Sequence, residues 1–235
     1  MTRGNIYRLA ERALNKRVIV DTSKSFAWFD EVLGTGENVG MAATYVLMVK
    51  HPIRYLASCV VNIADPLPRA LRYRILARLG SRWQRHAVLA ELARDLDEFY
   101  RAFFASYGDK IRSNTFHLLH YECLVDSPRR TLRPLLRSLG LAYDQQMDDF
   151  YSAEHHQIGG NNGAVFQVKR SWGGAEADIP QARRQFYESN RGLRIDDKFR
   201  QVFSTDEISR LLSHPVVRDL SERLGYYAPD MPFKI

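Results

Sequence analysis

The chain has 235 residues, 45% apolar and 26% charged, a balance that suits one globular domain with a sizeable core. It contains no internal repeat and no low-complexity segment, and its two cysteines, Cys59 and Cys123, lie in apolar contexts that read as buried reduced thiols, not a disulfide framework. Lysine and arginine number 34 against 27 acidic residues, a formal net charge of +7 that favours an anionic partner: a nucleotide, a sulfated or acidic glycan, nucleic acid or an anionic membrane surface.

In chain order, the N-terminus predicts a short amphipathic helix with Ile6, Leu9, Ala13 and Leu14 on one side. It lacks the apolar core of a secretory signal, and no stretch reaches the ~20 apolar residues of a membrane span. With reduced thiols, this points to a cytoplasmic location. Arg17–Asp21 (RVIVD) predicts a strand buried on both faces, followed by a polar turn at Thr22–Ser25. Phe26–Leu33 predicts a helix ended by Gly34, and Thr44–Val49 a second buried strand. Pro52 suits the first turn of a helix running to about Asn62. A basic helix is expected near Leu67–Leu79.

Trp83–Tyr107 carries the strongest helical signal, with Leu89, Leu92, Leu96, Phe99, Tyr100 and Phe103 at three- and four-residue steps and Gly108 as the stop. Thr115–Tyr121 predicts a third strand. Ser127-Pro128 opens a helix with Leu132, Leu135, Leu136 and Leu139 inward and Gly140 at its end, and a short helix is expected near Asp144–Ser152. Arg129, Arg130 and Arg133 on this stretch, like Arg69, Arg72 and Arg74 earlier, have the spacing of a solvated face. Glycines crowd His155–Gly174, which reads as a mobile or functional loop. Helix resumes from about Gln181. Ser204 and Glu207 form a capping box before Ile208, Leu211 and Leu212, and Val216–Leu224 is the last helix, closed by Gly225. Strands alternating with helices imply a mostly parallel sheet covered on both sides, whose ligands bind at the carboxyl ends of the strands.

Three segments carry candidate chemistry. Lys50-His51-Pro52-Ile53-Arg54 joins a strand end to a helix start, placing a cation beside unpaired N–H groups, with Ser58 two turns on. The same pattern fits a plain helix start with a solvated lysine, and spacing alone does not choose between them. Asp21-Thr22-Ser23-Lys24-Ser25 offers a lysine and hydroxyls to a phosphate or sulfate oxygen, or is simply a polar turn. His155–Gly163 (HHQIGGNNG) offers imidazoles and close backbone approach to an anion. No metal is expected, because no cysteine or third histidine stands at ligand spacing, and His117 and His120 point to opposite faces of a strand. No nucleic-acid motif occurs, so nucleic acid is not the expected partner. No G-x-x-x-x-G-K-[ST] loop is present.

Four segments in order resemble one family. VIVDTSKS (Val18–Ser25) is similar to a strand followed by D-S-S-K. VKHPIRYLAS (Val49–Ser58) is similar to V-R-D-P-R-x-x-x-x-S. Leu118–Asp144 is similar to R-Y-E-D-L-V with its following P, T-L and F-L-G-L, and HHQIGGNN (His155–Asn162) to H-x-I-x-G-N. The family is that of the bacterial sulfotransferases that use 3′-phosphoadenosine-5′-phosphosulfate, and the likeness covers most of residues 17–225.

The resemblance implies a single α/β domain: a three-layer α/β/α, P-loop-type fold with a short, mostly parallel sheet. It implies that Lys50 and Ser58 bind the donor's 3′-phosphate, that Lys24 supports the transferring sulfuryl group with Ser23 beside it, and that the loop holding His156, Gly160 and Asn161 closes over the nucleotide. The acceptor is a hydroxyl or amine, its base unassigned among Asp21, Asp30 and Glu31. Lys50 replaces the family's arginine, losing the bidentate fork. The family's opening strand and G-x-x-R-S-G-[ST]-[ST] loop have no match here, so an N-terminally truncated fold is expected. That leaves three functions: an active sulfotransferase with an upstream start, a degenerate relative that binds nucleotide or anionic glycan, and, ranked last, a nucleic-acid-binding or scaffold protein using the basic helices. A central strand missing from the sheet further predicts low stability or self-association.

Overall fold

A helix start leaves its first N–H groups without partners, and something must accept from them. In helix α1, Ile6–Leu14, that acceptor comes from far along the chain. Asn38, fully buried, accepts through Oδ1 from the backbone N–H of both Tyr7 and Arg8 at 3.2 Å and donates through Nδ2 to the Val32 carbonyl. This ties α1 to helix α2, Phe26–Leu33, and to the 3₁₀ turn Gly36–Asn38. The Tyr7 phenol donates to Asp21 at 2.6 Å, and its ring meets Trp28 edge-on. The computed structural model describes residues 5–15, 18–21, 26–61, 81–111, 113, 115–149, 197 and 199–227. The chain divides into two compact units, Met1–Ala43 with Ala153–Ser189 and Thr44–Ser152 with Asn190–Ile235; the elements above belong to the first.

The predicted strand Arg17–Asp21 is corrected here. Val18–Asp21 forms no strand, and Val18 and Val20 are 38% and 82% exposed. A β-branched run becomes a strand only when a neighbour supplies the ladder hydrogen bonds, and composition encodes the preference without the partner.

The second unit holds a parallel pair of strands, β1 (Tyr45–Val49) and β2 (Phe116–His120), in register from Tyr45 opposite Phe116 to Val49 opposite His120. Period-two alternation sends Leu47, Val49 and Leu118 to one face, where Leu96 and Tyr100 of helix α4 (Arg82–Ile111) close over them. On the other face Leu119 is buried and His117 bonds Ser138 at 2.9 Å, but Val46 and Met48 are exposed. The expected fully buried β1 is therefore covered on one side only. His117 and His120 do diverge, His120 bonding the Leu224 carbonyl at 2.6 Å.

Pro52 opens helix α3, Pro52–Val61, as its fixed φ and missing N–H suit. Its buried Ile53, Leu56, Ala57 and Val60 pack against Val88, Leu89 and Ala93 of α4 and against Phe199, Phe203, Leu211 and Val217. Each such large side chain contributes roughly 1.5–3 kcal/mol of burial. Helix α4 spans 30 residues and does not stop at Gly108; the backbone departs from helical geometry at Tyr107 (φ −116°, ψ 15°) and the helix resumes to Ile111. Phe99, expected inside, is 59% exposed. Tyr121, expected as the last residue of the third strand, instead opens a short helix, α5 (Tyr121–Asp126), and α6 follows over Pro128–Ser138. Its end is as expected, with Gly140 at φ +66°, and a 3₁₀ turn covers Gln145–Asp149.

Toward the end of the described residues stand three helices: α7 (Phe199–Val202), α8 (Thr205–Ser213) and α9 (Pro215–Arg223). The capping box is present in full, Ser204 accepting from the Glu207 N–H and Glu207 from the Ser204 N–H. Asp97 of α4 pairs with Arg223 of α9 and, at 2.6 Å, with Arg101. Both cysteines are free thiols. Among the described residues no helix is long and apolar enough to cross a membrane. The sheet of the second unit is thus parallel and small, and the unit is mostly helical.

Candidate anion-binding site

Because the two strands are parallel and in register, their carboxyl ends lie side by side, and the residues that follow them meet. Lys50, directly after β1, holds its Nζ 5.4 Å from the centre of the Tyr121 ring, directly after β2. The same Nζ donates to Ser58 Oγ at 3.1 Å. Ser58 in turn donates to the Arg54 carbonyl at 2.9 Å. A hydroxyl has one proton, so Ser58 receives from Lys50 and gives to the helix backbone. The two residues singled out by sequence for one phosphate therefore converge, bridging the strand end and the second turn of α3.

The start of α3 differs from expectation. It was to offer unpaired N–H groups, but two of those donors, on His51 and Ile53, are engaged within the protein. Pro52 has none. The His51 N–H donates to Glu122 Oε1 at 3.0 Å, and the Ile53 N–H donates to His51 Nδ1 at 3.2 Å. His51 thus does the work of an N-cap, placing a ring nitrogen where an aspartate oxygen would usually stand. Accepting at Nδ1 requires the proton on Nε2 and a neutral ring. Burial, with the Arg54 guanidinium nearby, lowers the His51 pKa to about 3. With Nδ1 committed to a backbone N–H, His51 is not a general base.

Beneath this lies a buried polar network that sequence reasoning missed. Glu122, at the start of α5 and fully buried, receives from the His51 N–H and from the Tyr226 phenol at 2.7 Å, and faces Arg54 Nε at 3.7 Å. Arg54, only 2% exposed, also bonds Asp197 at 3.0 Å and lies 4.7 Å over the Phe199 ring. Tyr226 reaches inward because Gly225 turns the chain at φ +78° after α9, letting the Tyr226 N–H return to the Ser221 carbonyl. Burial and the Glu122 charge push the Tyr226 phenol well above its usual range, so it stays a donor. Its ring stands edge-on to both His51 and His120 at 4.8 Å. One signal was available: a carboxylate inside the apolar run Tyr121–Val125 must find a partner when buried.

Chemically, this is a cation and a hydroxyl presented together at a strand end and held by a rigid base. It can grip one oxyanion through charge-assisted hydrogen bonds. Ser23, Lys24, His156, Gly160 and Asn161 lie outside the described residues, as do the expected helix near Leu67–Leu79 and the His155–Gly174 loop. Among the base candidates, Asp21 belongs to the first unit, where it accepts from Tyr7. Compared with known proteins, the chain matches no family model, no curated protein and no solved structure.

Proposed function

We propose that the chain is a sulfotransferase-type protein that moves a sulfuryl group from 3′-phosphoadenosine-5′-phosphosulfate to an acceptor hydroxyl or amine. The observation that carries this reading is the 3.1 Å meeting of Lys50 Nζ and Ser58 Oγ at the carboxyl end of β1. The donor's 3′-phosphate accepts the hydrogen bond that Lys50 Nζ now gives to Ser58, and the Ser58 hydroxyl swings from the Arg54 carbonyl to a phosphate oxygen. The family resemblance assigns Lys24, with Ser23, to the sulfuryl oxygens and His156, Gly160 and Asn161 to the nucleotide. In the reaction an acceptor oxygen or nitrogen attacks sulfur, the bond from sulfur to the 5′-phosphate oxygen breaks, and adenosine 3′,5′-bisphosphate leaves as the acceptor loses its proton. The protein's share is positioning and charge stabilisation. The three-layer P-loop-type fold belongs to this reading, with β1 and β2 as two of its parallel strands. So does a cytoplasmic location, which two free thiols suit.

Calorimetric titration with adenosine 3′,5′-bisphosphate tests it. Each charge-assisted hydrogen bond contributes about 1.5–3 kcal/mol, so Lys50→Ala should weaken binding about tenfold or more. Adenosine 5′-monophosphate, without the 3′-phosphate, should bind weakly and not respond to that variant. No bisphosphate binding, or binding indifferent to Lys50→Ala, overturns the reading. Binding without transfer of labelled sulfate to any acceptor assigns the chain to nucleotide binding alone.

A further inference from the structure

Helix α6 presents cations without carboxylates. Its sequence, PRRTLRPLLRS, holds four arginines and no acidic residue. Arg129, Arg133 and Arg137 recur at every fourth position, so they form one row with about 6 Å between successive members along the axis. Like charges at that spacing repel. Arg129 and Arg130 also lie in the first turn, where the helix dipole disfavours a cation. Among the described residues none of the four forms an ion pair. Within the helix, local electrostatics opposes Arg129, Arg130 and Arg133, while Arg137 in the last turn suits the dipole.

The row borders two open grooves of about 590 and 580 Å³, each within the size range of ligand sites. The first has Leu141, Ala142 and Tyr143 beside the arginines. The second has Ser127 and Asp148. Arg129 lies 6.0 Å over the Tyr143 ring, and the Tyr143 phenol donates to Asp148. The grooves thus combine guanidinium forks, an apolar and aromatic wall, and a carboxylate. A polymer of bare phosphates matches only the first and is repelled by the last. Sugar rings bearing carboxylate or sulfate groups match all three. Their anions take the arginine forks, their C–H faces lie on Tyr143 and Leu141, and their hydroxyls donate to Asp148. We infer that this face of α6, with Tyr143 and Asp148, binds an acidic oligosaccharide. The site uses no residue of the Lys50–Ser58 pair and does not depend on nucleotide binding there.

Fluorescence anisotropy on the full chain tests this with labelled tetragalacturonate and sulfated maltotetraose, which separate carboxylate from sulfate recognition. The controls are the methyl ester of the first and a single-stranded oligonucleotide of equal charge. At least one acidic oligosaccharide should bind, at least tenfold tighter than the neutral ester and tighter than the oligonucleotide. Arg133→Gln should weaken it at least fivefold and Asp148→Asn at least twofold. Arg218→Gln, an exposed arginine on α9, should leave it unchanged. Equal or tighter binding of the oligonucleotide, no binding of either oligosaccharide, or equal loss with Arg218→Gln overturns the assignment. Both substituted arginines are exposed, and an unchanged melting curve verifies that each variant is folded.

Discussion

Arg54 and Arg133 carry the same guanidinium into opposite surroundings. Arg54 is 2% exposed and is answered by Glu122, by Asp197 and by the face of Phe199. Arg133 stands exposed in a row of like charges, with no carboxylate paired to it among the described residues. A buried charge survives only where its neighbours compensate it, so the Arg54 network is architecture: it fixes how β1, α3, α5 and the chain after α9 meet. An exposed charge can persist without compensation because water solvates it, and what it costs the fold is small. The contrast separates groups whose partners are inside the molecule from groups whose partner is elsewhere. Lys50 and Ser58 fall between: they are partly buried and bond each other at the end of β1.

The contrast is most sharply tested at Glu122. Glu122→Ala removes an acceptor used by the His51 N–H and the Tyr226 phenol and takes from Arg54 the carboxylate that stands 3.7 Å from its Nε. Breaking a buried pair from one side costs about 3–5 kcal/mol, to be read as a lowered midpoint in urea unfolding. Arg133→Ala should change the same midpoint by less than about 0.5 kcal/mol. Similar losses from both would erase the distinction.

Acid probes the buried side more gently. In the unfolded chain His51 takes up its proton near pH 6.5, whereas in the fold it resists until about 3. Between those values the unfolded state holds the extra proton, so stability is greatest above pH 6.5 and falls as pH drops toward 3. The buried groups facing His51 are Arg54, Glu122, Tyr226 and the backbone N–H of Ile53. The loss from His51 should amount to a few kcal/mol across the window. His214, also lowered by burial and by His86 and Arg94, adds a slope of the same sign. His51→Asn keeps an acceptor for the Ile53 N–H while removing the titration. The pH dependence between 6.5 and 5 should therefore flatten by about one proton, measured by chemical unfolding at stepped pH. An unaltered slope would mean the ring is not held neutral by the fold.

How legible the molecule was depends on the range of the interaction. Local rules were read well: Pro52 at a helix start, the Ser204–Glu207 box, Gly140 and Gly225 at helix ends, and the strands near Tyr45–Val49 and Phe116–His120 all follow from residues a few positions apart. The Lys50–Ser58 pair was legible for the same reason, since two helical turns fix its geometry. Non-local choices were not. Val18–Asp21 has the composition of a strand without the ladder of one. Asn38 caps a helix about thirty residues upstream, and Glu122 joins residues from His51 to Tyr226. His51 hid its role because a histidine before proline does not advertise itself as a cap; only the ring's position shows it accepting from Ile53.

The smallest effect tests the exposed side from the opposite direction. If the arginines of α6 are kept for a ligand and not for the fold, replacing one against the local electrostatics should improve the fold. Arg129 sits in the first turn, four residues before Arg133. Arg129→Glu places a carboxylate at the positive end of the helix dipole and turns an i,i+4 repulsion into an attraction. The expected gain is about 0.5–1 kcal/mol in low salt, fading as salt screens it, while acidic oligosaccharide binding is lost. Thermal melts at low and high ionic strength measure the first and anisotropy the second. A destabilised variant would show that Arg129 holds the structure through its contact with Tyr143, and the uncompensated row would then say nothing about a partner.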